Sequence, residues 1–495
     1  MSHLKEDKNI FQNNLFYISV IVIVVLYFIF LKNSLLMFQY VVLVLFVISF
    51  FQIINEIKKR IFNRPKPTLK IVLIFSVMTI FYILLFAIYW ISASAGMTKI
   101  ENNEIIEYLL VIYLITPALF TIIILLVNPF FDFQKKRLIK KATVKMRMLK
   151  KIKVIGITGS YGKTSTKEFL YMILSQKYKV IKTEGNNNTN IGVAYAVLNK
   201  LSDGFDYFIC EMGAYKLGDI AEICDIVKPE IGILTGINEQ HLELFGSIEN
   251  TKKTKFELIE ALPESGIAII NSSIKYQASN IKVRDIKYFS KENTGDIKYN
   301  SNQVEFKYKN QIFKTRILGK HYIENIISAI IVAEHLGMSL DEIAKGVEKI
   351  ESTEYMMKKL DGSNNSVFID DSYSANPDGV LAALEYLNEA YADYKKIIVF
   401  PGIIELGKTD DEVHRKLFDR IGEVCDVAYV VSQKSIKLKI HKVNENNCKF
   451  VFEKDFDKVA EMVKNELNEN TVVLFENRGA GVVMGKIKKQ SNQDD

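Results

Sequence analysis

The chain reads as an α/β protein with an N-terminal region of four transmembrane helices, a P-loop central α/β domain with a parallel sheet, and a C-terminal Rossmann-like α/β domain. Three observations predict this. Four long apolar stretches almost free of charge fill the first 130 residues, and from Lys151 onward short apolar runs alternate with amphipathic helical segments. Near the start of the second region a glycine-rich turn, Thr158-Gly159-Ser160-Tyr161-Gly162-Lys163-Thr164-Ser165, follows the apolar run Val154 to Ile157. The 495 residues are 49% hydrophobic yet 24% charged, which points to apolar segments segregated from a soluble part. Length alone predicts roughly three units.

The apolar stretches are Leu15 to Leu31, Leu35 to Ile54, Ile71 to Ala93 and Tyr108 to Val127, each about long enough to cross a bilayer core of roughly 30 Å. No small-residue cleavage site follows the first, and a second span comes at once, so a removed signal peptide is the weaker reading. Lys and Arg set the orientation. Lys58, Lys59, Arg60, Arg64, Lys66 and Lys70 lie between the second and third spans, and Lys135, Lys136, Arg137, Lys140, Lys141, Lys145 and Arg147 follow the fourth. Both groups belong on the cytoplasmic side, and the loop with Glu101, Glu104 and Glu107 faces outward. The expected divisions are therefore a membrane domain over 1–130, a basic juxtamembrane segment over 131–150, a central domain over 151–351 and a C-terminal domain over 352–490. The net charge of +7 gathers beside the spans, which favours membrane topology over nucleic-acid binding. The scattered cysteines, Cys210, Cys224, Cys425 and Cys448, form no C-x-x-C pair and fit reduced thiols in a cytoplasmic part of a multi-pass membrane protein.

In the central domain Val154 to Thr158, Tyr207 to Cys210, Ile231 to Leu234 and Ile267 to Ile270 read as buried parallel strands, with helices such as Gly192 to Lys200 and Ile248 to Leu262 between them. A β-rich excursion over Asp285 to Leu318 precedes a helical pair ending near Ile350. A second alternating series follows, with candidate strands at Val367 to Ile369, Lys396 to Phe400, Val427 to Val431 and Val472 to Phe475.

The strand, glycine turn and helix around Thr158 make a phosphate cradle, because glycines let backbone N–H groups approach phosphate oxygens and the helix N-terminus adds partial positive charge. Lys163 can reach terminal phosphates and Thr164 offers a hydroxyl to Mg²⁺, so ATP is the first expected ligand. Ile157 occupies the position of the first glycine of the general pattern, and an ordinary turn at a helix start is the bland alternative. Glu211 ends the strand Tyr207 to Cys210, where a parallel sheet delivers its residues to the crevice, and a carboxylate there suits Mg²⁺ held with Thr164. His241 follows the strand Ile231 to Leu234; a lone histidine is more often structural than a ligand, but its place at a carboxyl edge favours a role. Lys255, by itself, reads as a solvated helix lysine.

Together these residues resemble the Mur ligase family, and within it the members that add D-alanyl-D-alanine to the peptidoglycan stem peptide. The stretches TGSYGKTSTKEFL, GNNNTNIGVAYAVLNKL, GKHYIENIISAI and IDDSYSANPDGVLAALEYL carry the likeness, with others in the same order from Lys151 to about Leu406. The resemblance implies ATP-dependent amide bond formation through an acyl phosphate on a cell-wall precursor. It implies that Gly159, Ser160, Gly162, Lys163, Thr164 and Ser165 cradle the phosphates and that Thr164 and Glu211 bind one Mg²⁺. His241 would be a ligand of a second Mg²⁺, and Lys255 would be carbamoylated, a carboxylate-like partner of the metal. Asn190 would lie near the reacting carboxylate, Asn325 would contact the adenine, and Asp371 would reach the nucleotide from the C-terminal domain.

The chain also departs from the family pattern. Membrane spans stand where the family has its UDP-sugar domain, Tyr355-Met356 replaces a Gly-Arg, and Phe475-Glu476-Asn477 replaces a lysine-glycine-serine signature, while Ser374 and Asn376 keep their motif. The expected partners are ATP, a cell-wall acceptor that is lipid-linked or UDP-linked, an amine such as D-Ala-D-Ala or an amino acid, and the membrane, but no nucleic acid. Two alternatives remain: a membrane P-loop NTPase driving transport or signalling, and a ligase modifying another membrane-linked carboxylate. The former leaves His241, Lys255 and Asn325 without a common purpose.

Overall fold

The computed structural model describes residues 69–94 and 102–494 apart from short segments, the longest of them 432–447. The first two expected spans, and with them His241, Ser374 and Tyr355, lie outside the described residues. The chain divides into two compact units, Met1–Arg137 and Leu138–Asp495.

In the first unit the third and fourth expected spans are helical, as α1 (Leu69–Ser94) and the start of α2 (Asn102–Met148). Within α2 the stretch Ala118–Met148 is long and apolar enough to cross a membrane. It is the only such helix among the described residues, so they do not display the expected four-helix region. Ile74, Met78 and Ile123 pack together, while Val72, Leu73, Val77, Ile80, Ile83, Leu84, Ile122, Leu125 and Leu126 are exposed. Helix α2 continues through most of the expected juxtamembrane segment, and the unit boundary falls at Arg137. Lys, Arg, Met, Leu and Ala all favour helix, which explains why the chain does not break there. The last turns of α2 belong to the second unit, where Ala142 and Met146 are buried against Val193, Val197 and Phe208.

The second unit carries two six-stranded sheets and a three-stranded one. The first has the order β2-β3-β1-β4-β5-β6, all parallel, from β1 (Lys153–Thr158), β2 (Val180–Lys182), β3 (Tyr207–Glu211), β4 (Ile231–Leu234), β5 (Ile267–Asn271) and β6 (Asp285–Phe289). Its crossovers are α3 (Lys163–Leu174), α4 (Asn190–Lys200), α5 (Asp219–Val227) and α6 (Ile248–Glu260). The expected β excursion is split. Its first strand, β6, joins the parallel sheet as an edge, and only β7 (Thr294–Tyr299), β8 (Val304–Tyr308) and β9 (Gln311–Thr315) form the antiparallel meander. The burial pattern of β6 is mixed because an edge strand meets solvent, so its sequence does not show the continuous apolar run of its neighbours.

Helices α7 (Tyr322–His335) and α8 (Leu340–Glu348) lead to the second sheet, of order β10-β11-β15-β12-β13-β14. Its strands are β10 (Lys358–Asp361), β11 (Val367–Asp371), β12 (Lys395–Phe400), β13 (Val427–Val430), β14 (Lys449–Phe452) and β15 (Thr471–Glu476), with helices α9 (Pro377–Ala390), α10 (Asp410–Val424), α11 (Phe456–Lys464) and α12 (Arg478–Asp494). Only β10, at the edge, runs antiparallel. The edge strands β2, β10 and β14 have no clear signature in sequence, being three or four residues long with mostly exposed or half-buried positions. One apolar cluster runs from Phe169 and Ile173 under the glycine turn through Tyr322 and Met357 to Ile369 and Leu384, so the two α/β parts share a core.

Candidate active site

Parallel register builds the centre of the site. Strands β1 and β3 are neighbours with Ile157 opposite Glu211, so the glycine turn leaving β1 and the carboxylate ending β3 emerge side by side at the same sheet edge. The turn closes on Gly162, which takes φ 77° just before α3. A Cβ there would lie 2.6 Å from Asn325 Oδ1 on α7, and one at Gly159 would overlap the Thr235 hydroxyl, so both positions need glycine. The backbone N–H of Ser160 donates to Gly236 O at 2.7 Å, tying the turn to the loop after β4.

Lys163 is half-buried at the turn, its Nζ donating to the carbonyls of Gly159 at 2.8 Å and Ser160 at 2.9 Å. Burial pushes its ammonium down from the usual lysine range, and Glu211 opposes that shift. Glu211, 1% exposed, accepts from Thr164 Oγ1 at 3.2 and 3.1 Å, from Asn188 Nδ2 at 2.9 Å and from Lys167 Nζ at 3.0 Å. A hydroxyl and a carboxylate side by side at a glycine cradle fit Mg²⁺. Among the described residues no three His, Cys, Asp or Glu groups converge, so the remaining ligands would be phosphate oxygens and water, as is usual for this ion.

Lys255, on α6 and 4% exposed, places its Nζ 5.7 Å from the centre of the Phe245 ring. Burial first, and then the charge of Lys163, lower it to about 7, so the sequence reading of a solvated lysine does not hold. A lysine in this state offers a neutral amine near neutral pH. Asn190 opens α4, and its amide donates to the Glu222 carboxylate on α5 rather than meeting the residues around the cradle.

The C-terminal domain supplies the opposite wall. A cleft of about 910 Å³ is lined on one side by Ser160, Gly162, Lys163, Thr164, Ser165, Glu211 and Asn325, and on the other by Asp371, Tyr373, Asn376, Asp378 and Arg478. Asn238 Nδ2 donates across it to Asn376 Oδ1 at 3.2 Å and Asp378 Oδ2 at 2.8 Å, and Lys320 Nζ meets Glu389 Oε1 at 2.5 Å. Asp371 ends β11 opposite Glu476 at the end of β15. Burial, and then the charge of Asp370, raise Asp371 to about 7, and burial raises Glu476 well above the carboxylate range.

The departures from the family pattern have structural counterparts. Met356 is 2% exposed and sits in the core, and Phe475 packs edge-on against Phe368 with ring centres 5.0 Å apart. Asn477 adopts φ 76° and donates through Nδ2 to Gly402 O at 2.7 Å, a left-handed conformation that asparagine tolerates better than most residues. Sequence reasoning missed Lys167 and Asn188, the other two side chains on Glu211. Lys167 follows Lys163 by one helical turn on α3, but nothing local in the sequence marks it as buried on Glu211.

Comparison with known proteins agrees with this geometry. Residues 157–333 match the Mur ligase middle domain, and residues 357–478 match the Mur ligase, glutamate ligase domain. A UDP-N-acetylmuramoyl-tripeptide--D-alanyl-D-alanine ligase of Rickettsia prowazekii is 31% identical over 74% of this chain and 82% of its own length. The protein of the same name from Escherichia coli is 30% identical over 59% of this chain and 66% of its own length. A crystal structure of MurF ligase from Thermotoga maritima in complex with ADP superposes with a TM-score of 0.65 at 27% identity, covering 73% of this chain and 85% of that one. The chain belongs to the Mur ligase family, the ATP-dependent enzymes that form amide bonds.

Proposed function

We propose that this protein joins an amine to a carboxylate of a cell-wall precursor. The acceptor carboxylate attacks the γ-phosphorus of ATP, giving an acyl phosphate and ADP; the amine then attacks the acyl carbon, phosphate leaves, and the amine loses a proton. The observation that carries this reading is the single cleft in which the glycine turn, the Thr164–Glu211 pair and Asn325 face Asp371 and Arg478. Lys163 stabilises charge building on the transferred phosphoryl group, and Asn325, touching the turn at Gly162, is placed to meet the nucleotide. Mg²⁺ held by Thr164 and Glu211 would neutralise the crowded phosphate oxygens. The neutral amine of Lys255 would attack CO₂ through its nitrogen, forming a carbamate and releasing one proton to solvent, which would put negative charge where Lys163 acts on it, and His241 would supply a further ligand to the metal.

The names of the relatives point to D-alanyl-D-alanine as the amine and a muramoyl tripeptide as the acceptor. The apolar exteriors of α1 and α2 support a membrane anchor, with the first two apolar stretches completing a multi-pass region and the catalytic unit on the cytoplasmic side. An anchored enzyme meets a lipid-linked acceptor at a raised effective concentration, and this favours a lipid-linked muramoyl peptide over a UDP-linked one.

The test is ADP and phosphate release by the full-length protein with UDP-linked or lipid-linked muramoyl tripeptide, with and without D-alanyl-D-alanine. Turnover requiring both acceptor and amine is expected. Full-rate hydrolysis with neither present would overturn the ligase reading in favour of a membrane NTPase.

A further inference from the structure

Lys167 is a fully buried lysine to which the proposed reaction gives no part. Its side chain is 0% exposed, and its Nζ lies 3.0 Å from Glu211 Oε2, 3.7 Å from Glu168 Oε1 and 2.6 Å from the Gly185 carbonyl oxygen. Taking an ammonium out of water is costly unless charge and hydrogen bonds compensate it, and here both are supplied. The partner is informative. Glu211 is the carboxylate placed to hold Mg²⁺ with Thr164, and its other oxygen, Oε1, accepts from Asn188 Nδ2 at 2.9 Å. Gly185 and Asn188 belong to the same short segment, which leads into α4, and the Asn188 carbonyl accepts from Gly213 N at 2.7 Å just beyond Glu211.

The charge around the metal position follows from these contacts. Glu211 is neutralised by Lys167, and the positive charge of Lys163 also acts on it. With no cluster of three ligating side chains among the described residues, a divalent cation arriving alone finds a carboxylate whose charge is already cancelled. A cation arriving with a nucleotide brings the phosphate charges that outweigh the lysines.

We propose that Lys167 is a positioning residue that suppresses divalent-cation binding at Glu211 until nucleotide phosphates are present, and that links Glu211 to the Gly185–Asn188 segment. The idea rests on the nucleotide and metal reading above. The metal and the nucleotide then enter as one species, and a change at Glu211 reaches the segment before α4 through Lys167 and Asn188.

The test is Mn²⁺ binding to the full-length protein, measured by electron paramagnetic resonance without nucleotide and with a non-hydrolysable ATP analogue. The wild type should bind Mn²⁺ weakly alone and strongly with the analogue. Lys167→Met should bind Mn²⁺ at least about ten-fold more tightly without nucleotide, while Lys167→Arg, which keeps the charge, should follow the wild type. Unchanged nucleotide-free affinity in a folded Lys167→Met protein would overturn the proposal. So would tight nucleotide-free binding by the wild type, which needs no variant and decides the matter if Lys167→Met fails to fold. Absence of analogue binding by the wild type would instead sink the ATP reading, and the proposal with it.

Discussion

A single buried lysine illustrates how environment decides chemistry at the scale of one residue. Lys255 is held near 7 because burial penalises its ammonium and Lys163 repels it. An unfolded lysine titrates near 10.4, so between about pH 7 and pH 10 the unfolded chain carries a proton that the native one lacks, and stability from this group rises with pH across that window. The same shift governs its reactivity, since only the neutral amine takes up CO₂. In protein equilibrated with ¹³C-bicarbonate, a carbamate carbon resonance should grow from pH 6 to pH 8 and be absent from Lys255→Arg. A spectrum identical in the two proteins would remove the carbamate from the mechanism. Lys255→Ala should be largely inactive and partly rescued by acetate.

Elements explain why these residues meet. The φ of 77° at Gly162 and the nearness of Asn325 leave no room for a side chain between the glycine turn and α7. Gly162→Ala should therefore weaken ATP binding by at least about ten-fold, through a left-handed strain on the order of 1 kcal/mol plus displacement of Asn325. Isothermal titration would read the loss, and unchanged affinity would show that the turn yields. Strand pairing has a comparable effect in the C-terminal sheet, where β11 and β15 set Asp371 against Glu476. Asp371, raised to about 7, keeps a proton that the unfolded chain releases near pH 4, so stability falls as pH climbs from about 4 to 7. Glu476→Gln removes one of the two facing carboxyls. Its melting temperature should gain on the wild type as pH rises from 5 to 8, and a constant difference would mean the carboxyls do not interact.

At the scale of the whole molecule the catalytic parts are gathered in one compact unit, Leu138–Asp495, with a core common to both α/β parts. A protein beginning at Leu138 should therefore fold and bind ATP as the full chain does. It should lose sedimentation with anionic lipid vesicles, together with most activity on a lipid-linked acceptor. Equal activity of both forms on the UDP-linked acceptor, with no gain for the full chain on the lipid-linked one, would reduce the N-terminal region to an anchor.

The sequence by itself determined the central strands, the glycine turn and the carboxylate at Glu211, because buried parallel strands are written as unbroken apolar runs and phosphate loops need glycine at fixed spacing. It also marked Lys255, Asn325 and Asp371 through resemblance. Tertiary structure alone decided their states. Edge strands such as β2, β6 and β10 carry no continuous apolar run, so pairing had to reveal them. Asn190 faces Glu222 because α4 packs beside α5, and Lys167 is buried on Glu211 because β3 ends beside the first turn of α3. Burial and charge repulsion act through space between residues far apart in the chain, and no local pattern records them.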